Sequence, residues 1–104
     1  MDFSNITDKL NICYVRVSSL GQKDDLERQK AFMKKEFPKH FIIEDIGSGI
    51  NLTKKGLLKI LELAIEGKLE ELVIVHKDRL ARFGYELIED FITEESNGKI
   101  TISS

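Results

Sequence analysis

The chain has 104 residues, of which 33% are charged and 41% hydrophobic, and its formal net charge at pH 7 is −2. This size and composition predict a single globular domain and exclude an intrinsically disordered chain. The slightly negative charge argues against a stand-alone module that grips nucleic acid through a basic surface.

The cysteine content and the first residues indicate the compartment. Cys13 is the only cysteine, so no internal disulfide can form, and a reducing environment is expected. Residues 1–5 lack a secretion signal, and no apolar run approaches the roughly 20 residues of a membrane span. We therefore expect a cytoplasmic protein without a membrane partner, in which Cys13 is a buried structural side chain.

The first half of the chain predicts strand, helix, strand. An apolar run over residues 11–17 is typical of a buried strand. A helix follows, opened by the acidic residues Asp24, Asp25 and Glu27 and stopped by Pro38. Leu26, Met33 and Phe37 form its apolar stripe. Residues 41–45 predict the second strand.

The second half repeats this alternation. Thr53 is a candidate helix cap and Gly67 a helix end. Between them, the predicted apolar helix face consists of Leu57, Leu58, Leu61, Ala64 and Ile65. Residues 71–76 predict a third strand, Ile88, Phe91 and Ile92 a third helix, and residues 99–102 a fourth strand after the turn at Asn97-Gly98. The order predicts an α/β fold, with an open, mostly parallel sheet of four or slightly more strands and helices on both faces.

Unusual polar residues follow three of the predicted strands. They are Arg16, Ser18 and Ser19; Asp45 and Ser48; and Asp78, Arg79 and Arg82. Open α/β sheets bind ligands beyond the carboxyl ends of their strands, where these groups would converge. A serine hydroxyl with clustered guanidinium groups and no set of metal ligands predicts phosphate chemistry.

Several alternatives to a site stay open at this point. Ser18 and Ser19 could cap a helix or satisfy turn amides. Asp78 and Arg79 could form a local salt bridge in a loop, and Arg82 could be a solvated residue at the start of a helix. His40 is expected on the surface and His76 in a structural role. The loop Gly47-Ser48-Gly49 is not a dinucleotide fingerprint, because Leu52 stands where a third glycine is needed. A flavodoxin-like domain that binds a small molecule or a nucleotide through its phosphate is one possible function.

Three separated motifs resemble the catalytic domain of serine recombinases. The first is Tyr14-Val15-Arg16-Val17-Ser18-Ser19, followed by Gln22, Leu26 and Gln29; the second is Asp45-Ile46-Gly47-Ser48-Gly49; the third is Lys77-Asp78-Arg79-Leu80-Ala81-Arg82. The similarity extends over residues 11–102. Within that family, residues 24–29 and 78–84 look most like the transposases of insertion sequences, which are built on a resolvase-type catalytic domain.

The resemblance implies site-specific DNA strand cleavage and rejoining, for recombination or transposition, through a 5′-phosphoserine intermediate on Ser18, without a cofactor or metal. It implies that Arg16, Arg79 and Arg82 stabilise the transition state and that Asp78 positions an arginine or exchanges a proton. Tyr14, Gln22, Asp45 and Ser48 are expected to support them, and Lys54 stands where many relatives have an arginine. Ser19 is the less favoured nucleophile, because the motif places the serine directly after Arg-Val.

The resemblance also implies partners and a domain organisation. DNA is the expected substrate, and the full-length protein is expected to act as a homodimer or tetramer. Residues 1–104 are expected to be one catalytic domain that ends before the long dimerisation helix of the family and contains no helix-turn-helix. The alternative function is a non-catalytic regulatory or assembly fragment of a recombinase.

Overall fold

Strands and helices alternate along the chain in the computed structural model, which describes residues 9–47, 55–75 and 85–103. Within these ranges the elements are β1 (Leu10–Val17), a 3-10 turn (Leu20–Gln22), α1 (Lys23–Glu36), β2 (Phe41–Ile46), α2 (Lys55–Ile65), β3 (Leu69–Ile74), α3 (Tyr85–Ser96) and β4 (Lys99–Ile102). The predicted order is confirmed. No helix in this part of the chain is long and apolar enough to cross a membrane.

The boundary of β3 differs most from its prediction. The strand covers Leu69–Ile74 instead of residues 71–76. The backbone of Gly67 has a φ of 73°, and the Lys68 amide donates to the Leu63 carbonyl at 2.8 Å. This left-handed turn reverses the chain at once, so the strand begins two residues after the glycine. His76 and Thr53, which the sequence placed at a strand end and a helix cap, lie outside the described residues.

All the strand pairings in the sheet are parallel, and the strand order is β2-β1-β3-β4. The chain moves from β1 to one neighbour and then returns to the other side of β1, so the order reverses between β1 and β3. The pairing of β1 with β2 continues to Val17 and Ile46. The pairing of β1 with β3 ends at Cys13 and Val73, so these two strands separate before β1 ends.

The core lies on both faces of the sheet, as predicted. One face, covered by α2 and α3, buries Ile12, Tyr14 and Leu72, and the other, covered by α1, buries Cys13 and Val15. Because β1 is buried on both sides, its sequence is a nearly continuous apolar run without alternation.

The predicted apolar face of α2 was only partly right. Leu57 and Ala64 are buried and Leu61 is half-buried, but Leu58 and Ile65 are 43% and 61% exposed. Ile60 and Leu63 are buried instead. Each helical residue turns by about 100°, and the sheet contacts the side that carries positions 57, 60 and 64. Leu58 lies one step round from that side and is turned toward solvent.

A polar cluster ties the segment between α1 and β2 to the two last strands. The Glu71 carboxylate accepts a hydrogen bond from Thr101 Oγ1 at 2.6 Å, lies 2.9 Å from His40 Nε2 and 3.8 Å from Lys99 Nζ. Burial alone would raise the pKa of Glu71, but the hydrogen bonds from Thr101 and His40 and the charge of Lys99 outweigh it and lower the pKa. His40, expected on the surface, is therefore a partly buried structural residue.

Candidate active site

Arg16 brings a positive charge to the carboxyl end of β1, next to the point where the strand order reverses. Its side chain is only 2% exposed. Nη1 donates to the Gly47 carbonyl at 2.8 Å and lies 3.5 Å from Ser18 Oγ. Burying a guanidinium is costly unless its N–H groups are paired, so the bond to Gly47 helps to fix the group in place.

Ser18 follows β1 directly and is exposed, while its backbone is held by a neighbouring side chain. Gln22 Oε1 accepts hydrogen bonds from the amides of Ser18 at 2.8 Å and Ser19 at 3.3 Å. The Gln22 amide in turn donates to the Ser19 carbonyl at 3.1 Å, which closes the 3-10 turn. The Ser18 hydroxyl is thus presented to solvent from a fixed backbone, beside Arg16.

Asp45 joins three elements at the same edge of the sheet. Its carboxylate accepts hydrogen bonds from Tyr14 Oη at 2.6 Å, from the Gly56 amide at 2.8 Å and from the Leu57 amide at 2.9 Å. The last two amides belong to the first turn of α2, where a carboxylate is favoured by unpaired N–H groups and by the helix dipole. Burial, followed by the hydrogen bond and the charge of Asp45, raises the pKa of Tyr14, so the phenol stays a donor.

Gly56 makes this arrangement possible because no side chain would fit at its position. A β-carbon there would lie 2.8 Å from Asp45 Oδ2 and 2.8 Å from Ile43 Cγ2. The first turn of α2 can therefore approach β2 closely enough for the two amides to reach the carboxylate.

Gln29, which the sequence placed in a motif without giving it a role, contacts Arg16 from α1. Its Oε1 accepts from the Arg16 amide at 3.3 Å, and its Nε2 donates to the Arg16 carbonyl at 3.1 Å and to Asp25 Oδ2 at 3.2 Å. Among the residues that the structure describes, Gln29 is one of four polar or charged residues that are buried. The only signal in the sequence is the spacing of Asp25 and Gln29, which face the same side of a helix.

A cleft of about 550 Å³ adjoins the site between α1, the end of β2 and the start of α2. Lys23 and Lys55 line it together with Glu27 and Glu44, so its charge is mixed. Among residues 9–47, 55–75 and 85–103, no group of three or more His, Cys, Asp or Glu side chains could hold a metal ion. Burial raises the pKa of the Cys13 thiol to about 12, as expected for a structural cysteine.

The structure brings together half of the residues that the sequence assigned to the site. Tyr14, Arg16, Ser18, Gln22 and Asp45 lie around the carboxyl ends of β1 and β2. The remaining assignments lie outside the described residues; they are Ser48, Lys54, Asp78, Arg79 and Arg82.

Comparison with known proteins identifies relatives over most of this chain. A family model described as the resolvase N-terminal domain matches residues 11–99. A protein of Acanthamoeba polyphaga mimivirus named as a resolvase is 64% identical over 94 residues, which are 90% of this chain and 50% of that protein. A second protein of the same virus that is named as a resolvase is 63% identical over 94 residues, again 90% of this chain and 50% of that protein. This chain thus spans about half the length of the curated relatives it matches.

Solved structures give the same result. A serine recombinase from Sulfolobus solfataricus has a TM-score of 0.86 and 35% identity, over 91% of this chain and 68% of that one. The carboxyl-terminal catalytic domain of an IS607-like serine recombinase has a TM-score of 0.82 and 38% identity, over 88% of this chain and 67% of that one. The fold and the order of its elements are therefore those of a known catalytic domain.

Proposed function

This chain belongs to the resolvase family of serine recombinases, and from that premise we propose that it cleaves and rejoins DNA strands through a covalent link to Ser18. One observation carries the proposal. The Ser18 hydroxyl is exposed at the carboxyl end of β1, and its oxygen lies 3.5 Å from the Nη1 of the buried Arg16. The pair places a nucleophile and a fixed positive charge close enough together for both to contact one phosphodiester.

The proposed reaction exchanges one phosphodiester for another. Ser18 Oγ attacks the phosphorus, the bond to the 3′ oxygen breaks, and the serine proton is transferred to that leaving oxygen. The products are a 5′-phosphoserine link and a free 3′-hydroxyl. The bond energy is retained in the link, so a 3′-hydroxyl of a new partner can reverse the step and rejoin the strand.

Arginines are suited to this chemistry because the five-coordinate phosphorus of the transition state carries extra negative charge on its equatorial oxygens. A guanidinium offers paired N–H donors that match such oxygens, and removing one positioned donor typically costs about 3–4 kcal/mol of transition-state stabilisation. Arg16 is the donor whose surroundings are known. By motif position we assign the same role to Arg79 and Arg82, and we assign Asp78 to positioning an arginine or handling the proton.

Five further residues are proposed to support the site. Gln22 holds the backbone of Ser18, and Tyr14 and Asp45 tie β1 to β2 and to the start of α2. Ser48 and Lys54 are assigned by motif position alone. A lysine at position 54 would supply a point charge without the paired donors of an arginine.

DNA is the proposed substrate and other copies of the chain are the proposed partners. One catalytic serine attacks one strand, so cutting both strands of two duplexes would require four copies. The overall charge of −2 gives no general attraction to DNA. We therefore propose that Lys23 and Lys55 in the adjoining cleft contact the phosphate backbone of the DNA. Most of the affinity for DNA is proposed to come from the rest of the whole recombinase.

The test is to trap the covalent link. The whole recombinase that carries this domain is incubated with duplex DNA from the ends of its own element, quenched with SDS, digested, and searched by mass spectrometry for a peptide that carries a 5′-phosphonucleotide. We expect the adduct on Ser18 and its complete loss in Ser18→Ala. Ser19→Ala is the matched control, because it removes a neighbouring exposed hydroxyl and should leave the adduct in place.

Two outcomes contradict the proposal. An adduct that survives in Ser18→Ala, or that maps to Ser19, would assign the nucleophile elsewhere. DNA binding by the wild-type protein without any adduct would favour the alternative function, a regulatory or assembly protein that keeps the fold without the chemistry.

A further inference from the structure

Gln29 pairs with both backbone polar groups of Arg16 through a single side-chain amide. The Arg16 amide donates to Gln29 Oε1 at 3.3 Å, and Gln29 Nε2 donates to the Arg16 carbonyl at 3.1 Å. Gln29 is 8% exposed and comes from α1, which covers the opposite face of the sheet from the Arg16 side chain. The contact is therefore made to the backbone of β1 and leaves the guanidinium untouched.

At Arg16, the side chain of Gln29 makes the hydrogen bonds that a neighbouring strand would make. A residue in a β-strand directs its N–H and its C=O to the same side, and the sides alternate along the strand. Val17 accepts from the Gly47 amide at 2.9 Å on the β2 side, so Arg16 faces the β3 side. The register of β3 with β1 already ends at Cys13 and Val73. Gln29 thus supplies the donor and acceptor that β3 no longer offers at Arg16.

Asp25 fixes the orientation of the amide. Gln29 Nε2 also donates to Asp25 Oδ2 at 3.2 Å, one helical turn away. A carboxylate accepts and cannot donate, so it holds the NH₂ group of Gln29 on its own side and leaves Oε1 for the Arg16 amide. Gln29 and Asp25 also line a notch of about 280 Å³ with Val75, where β1 and β3 separate.

We propose that Gln29 is a positioning residue for the cleavage reaction, acting through the backbone of Arg16. This inference rests on the proposed function. Arg16 is two residues before Ser18, so a small rotation of its peptide moves both the guanidinium and the nucleophile. A displacement of about 1 Å in a reacting group can lower a rate by roughly 100-fold. A purely structural glutamine would lower the stability of the domain without changing the rate of the folded fraction.

The first arm of the test measures the geometry directly. Amide hydrogen exchange, followed by NMR, is compared in the wild-type protein and in Gln29→Met, which keeps the length and removes both hydrogen bonds. We expect exchange of the Arg16 amide to accelerate at least tenfold, while the amides of Val15 and Val17 keep their rates. Lys34→Met is the matched control, an exposed long side chain on the same helix, and should change none of them.

The second arm measures chemistry. The rate of Ser18 adduct formation is followed in a single turnover, with the DNA Kd measured in parallel. We expect Gln29→Met and Gln29→Glu to lower the rate 10- to 100-fold with less than a threefold change in Kd. Glu keeps the acceptor for the Arg16 amide but loses the donor for its carbonyl. If Gln29→Met fails to fold, Gln29→Glu and the shorter amide Gln29→Asn carry the same comparison.

The outcomes separate the two proposals. A wild-type adduct that forms equally fast in the Gln29 variants overturns the positioning role and leaves the proposed function standing. An unchanged exchange rate of the Arg16 amide in Gln29→Met also overturns the positioning role, because the hydrogen bonds from Gln29 would then not restrain the backbone of Arg16. If the wild-type protein forms no adduct, the proposed function fails and takes the positioning role for cleavage with it.

Discussion

Removing the Asp45 carboxylate is expected to be among the most destabilising single changes at this edge of the sheet. Three donors would lose their acceptor, namely Tyr14 Oη and the amides of Gly56 and Leu57, all in buried residues. A buried donor left unsatisfied costs about 1–3 kcal/mol, and loss of a helix cap about 0.5–2 kcal/mol. Some of the donors would regain water, so we expect Asp45→Ala to lower the free energy of unfolding by about 3–5 kcal/mol.

The assay is urea denaturation followed by circular dichroism. Glu44→Ala is the matched control, because Glu44 is the neighbouring carboxylate of β2, is exposed and pairs with Lys30 at 3.5 Å. Exposed pairs contribute about 0–1 kcal/mol, so this variant should stay close to the wild-type stability. Asp45→Asn should fall between the two, since it keeps one acceptor and loses the charge.

A double-mutant cycle with Tyr14→Phe isolates one of the three bonds. We expect a coupling of about 1.5–3 kcal/mol between positions 14 and 45, in the range of a hydrogen bond to a charged acceptor. Equal stabilities of Asp45→Ala and Glu44→Ala would refute the reasoning, because the buried carboxylate would then contribute no more than a surface one. Additivity in the cycle would refute the contribution assigned to Tyr14.

Three further predictions concern packing and pH. Gly56→Ala places a methyl group 2.8 Å from Asp45 Oδ2 and should lower the free energy of unfolding by about 1–3 kcal/mol in urea denaturation. Gly67→Ala is the comparison, because a methyl group there meets open space and should cost only the strain of the φ of 73°. The pKa of Cys13 is raised from 9.0 to about 12, so the unfolded thiol ionises first. The free energy of unfolding should therefore fall as the pH rises above 9, by at most about 1.4 kcal/mol per pH unit, and Cys13→Ala should flatten that slope. The pKa of Glu71 is lowered from 4.5, so its contribution is present above pH 4.5 and is lost as the pH falls through the folded pKa; Glu71→Gln should flatten the acid limb of the same stability curve.

Much of the fold could be predicted because its elements are marked locally. The order of strands and helices follows from apolar runs of strand length and from Pro38 and Gly67, which mark the ends of helices. The inner face of α2 was less predictable. Leu58 and Ile65 are as apolar as their buried neighbours, and only the position of the sheet decides which leucines are covered. A helix with apolar residues on most sides leaves that choice to tertiary packing.

The members of the site were predictable where a motif contains them, but the contacts between residues that are distant in sequence were not. Arg16, Ser18 and Gln22 lie within seven residues of each other, so the pattern alone brings them together. The contact of Gln29 with Arg16 spans 13 positions, and that of Asp45 with Gly56 spans 11. Nothing in the composition of α1 indicates that its single glutamine, Gln29, reaches the backbone of β1 beyond the last residue paired with β3.

The choice of side chain at each holding position follows from the backbone groups that it must satisfy. Gln29 meets one N–H and one C=O and is an amide, which both accepts and donates. Asp45 meets three donors and is a carboxylate, which only accepts. Changes that preserve shape should therefore be harmful at both positions for opposite reasons. Glu at position 29 would oppose a carbonyl with a second acceptor, and Asn at position 45 would oppose an N–H or O–H with a second donor. If shape alone held the site, both substitutions would be neutral.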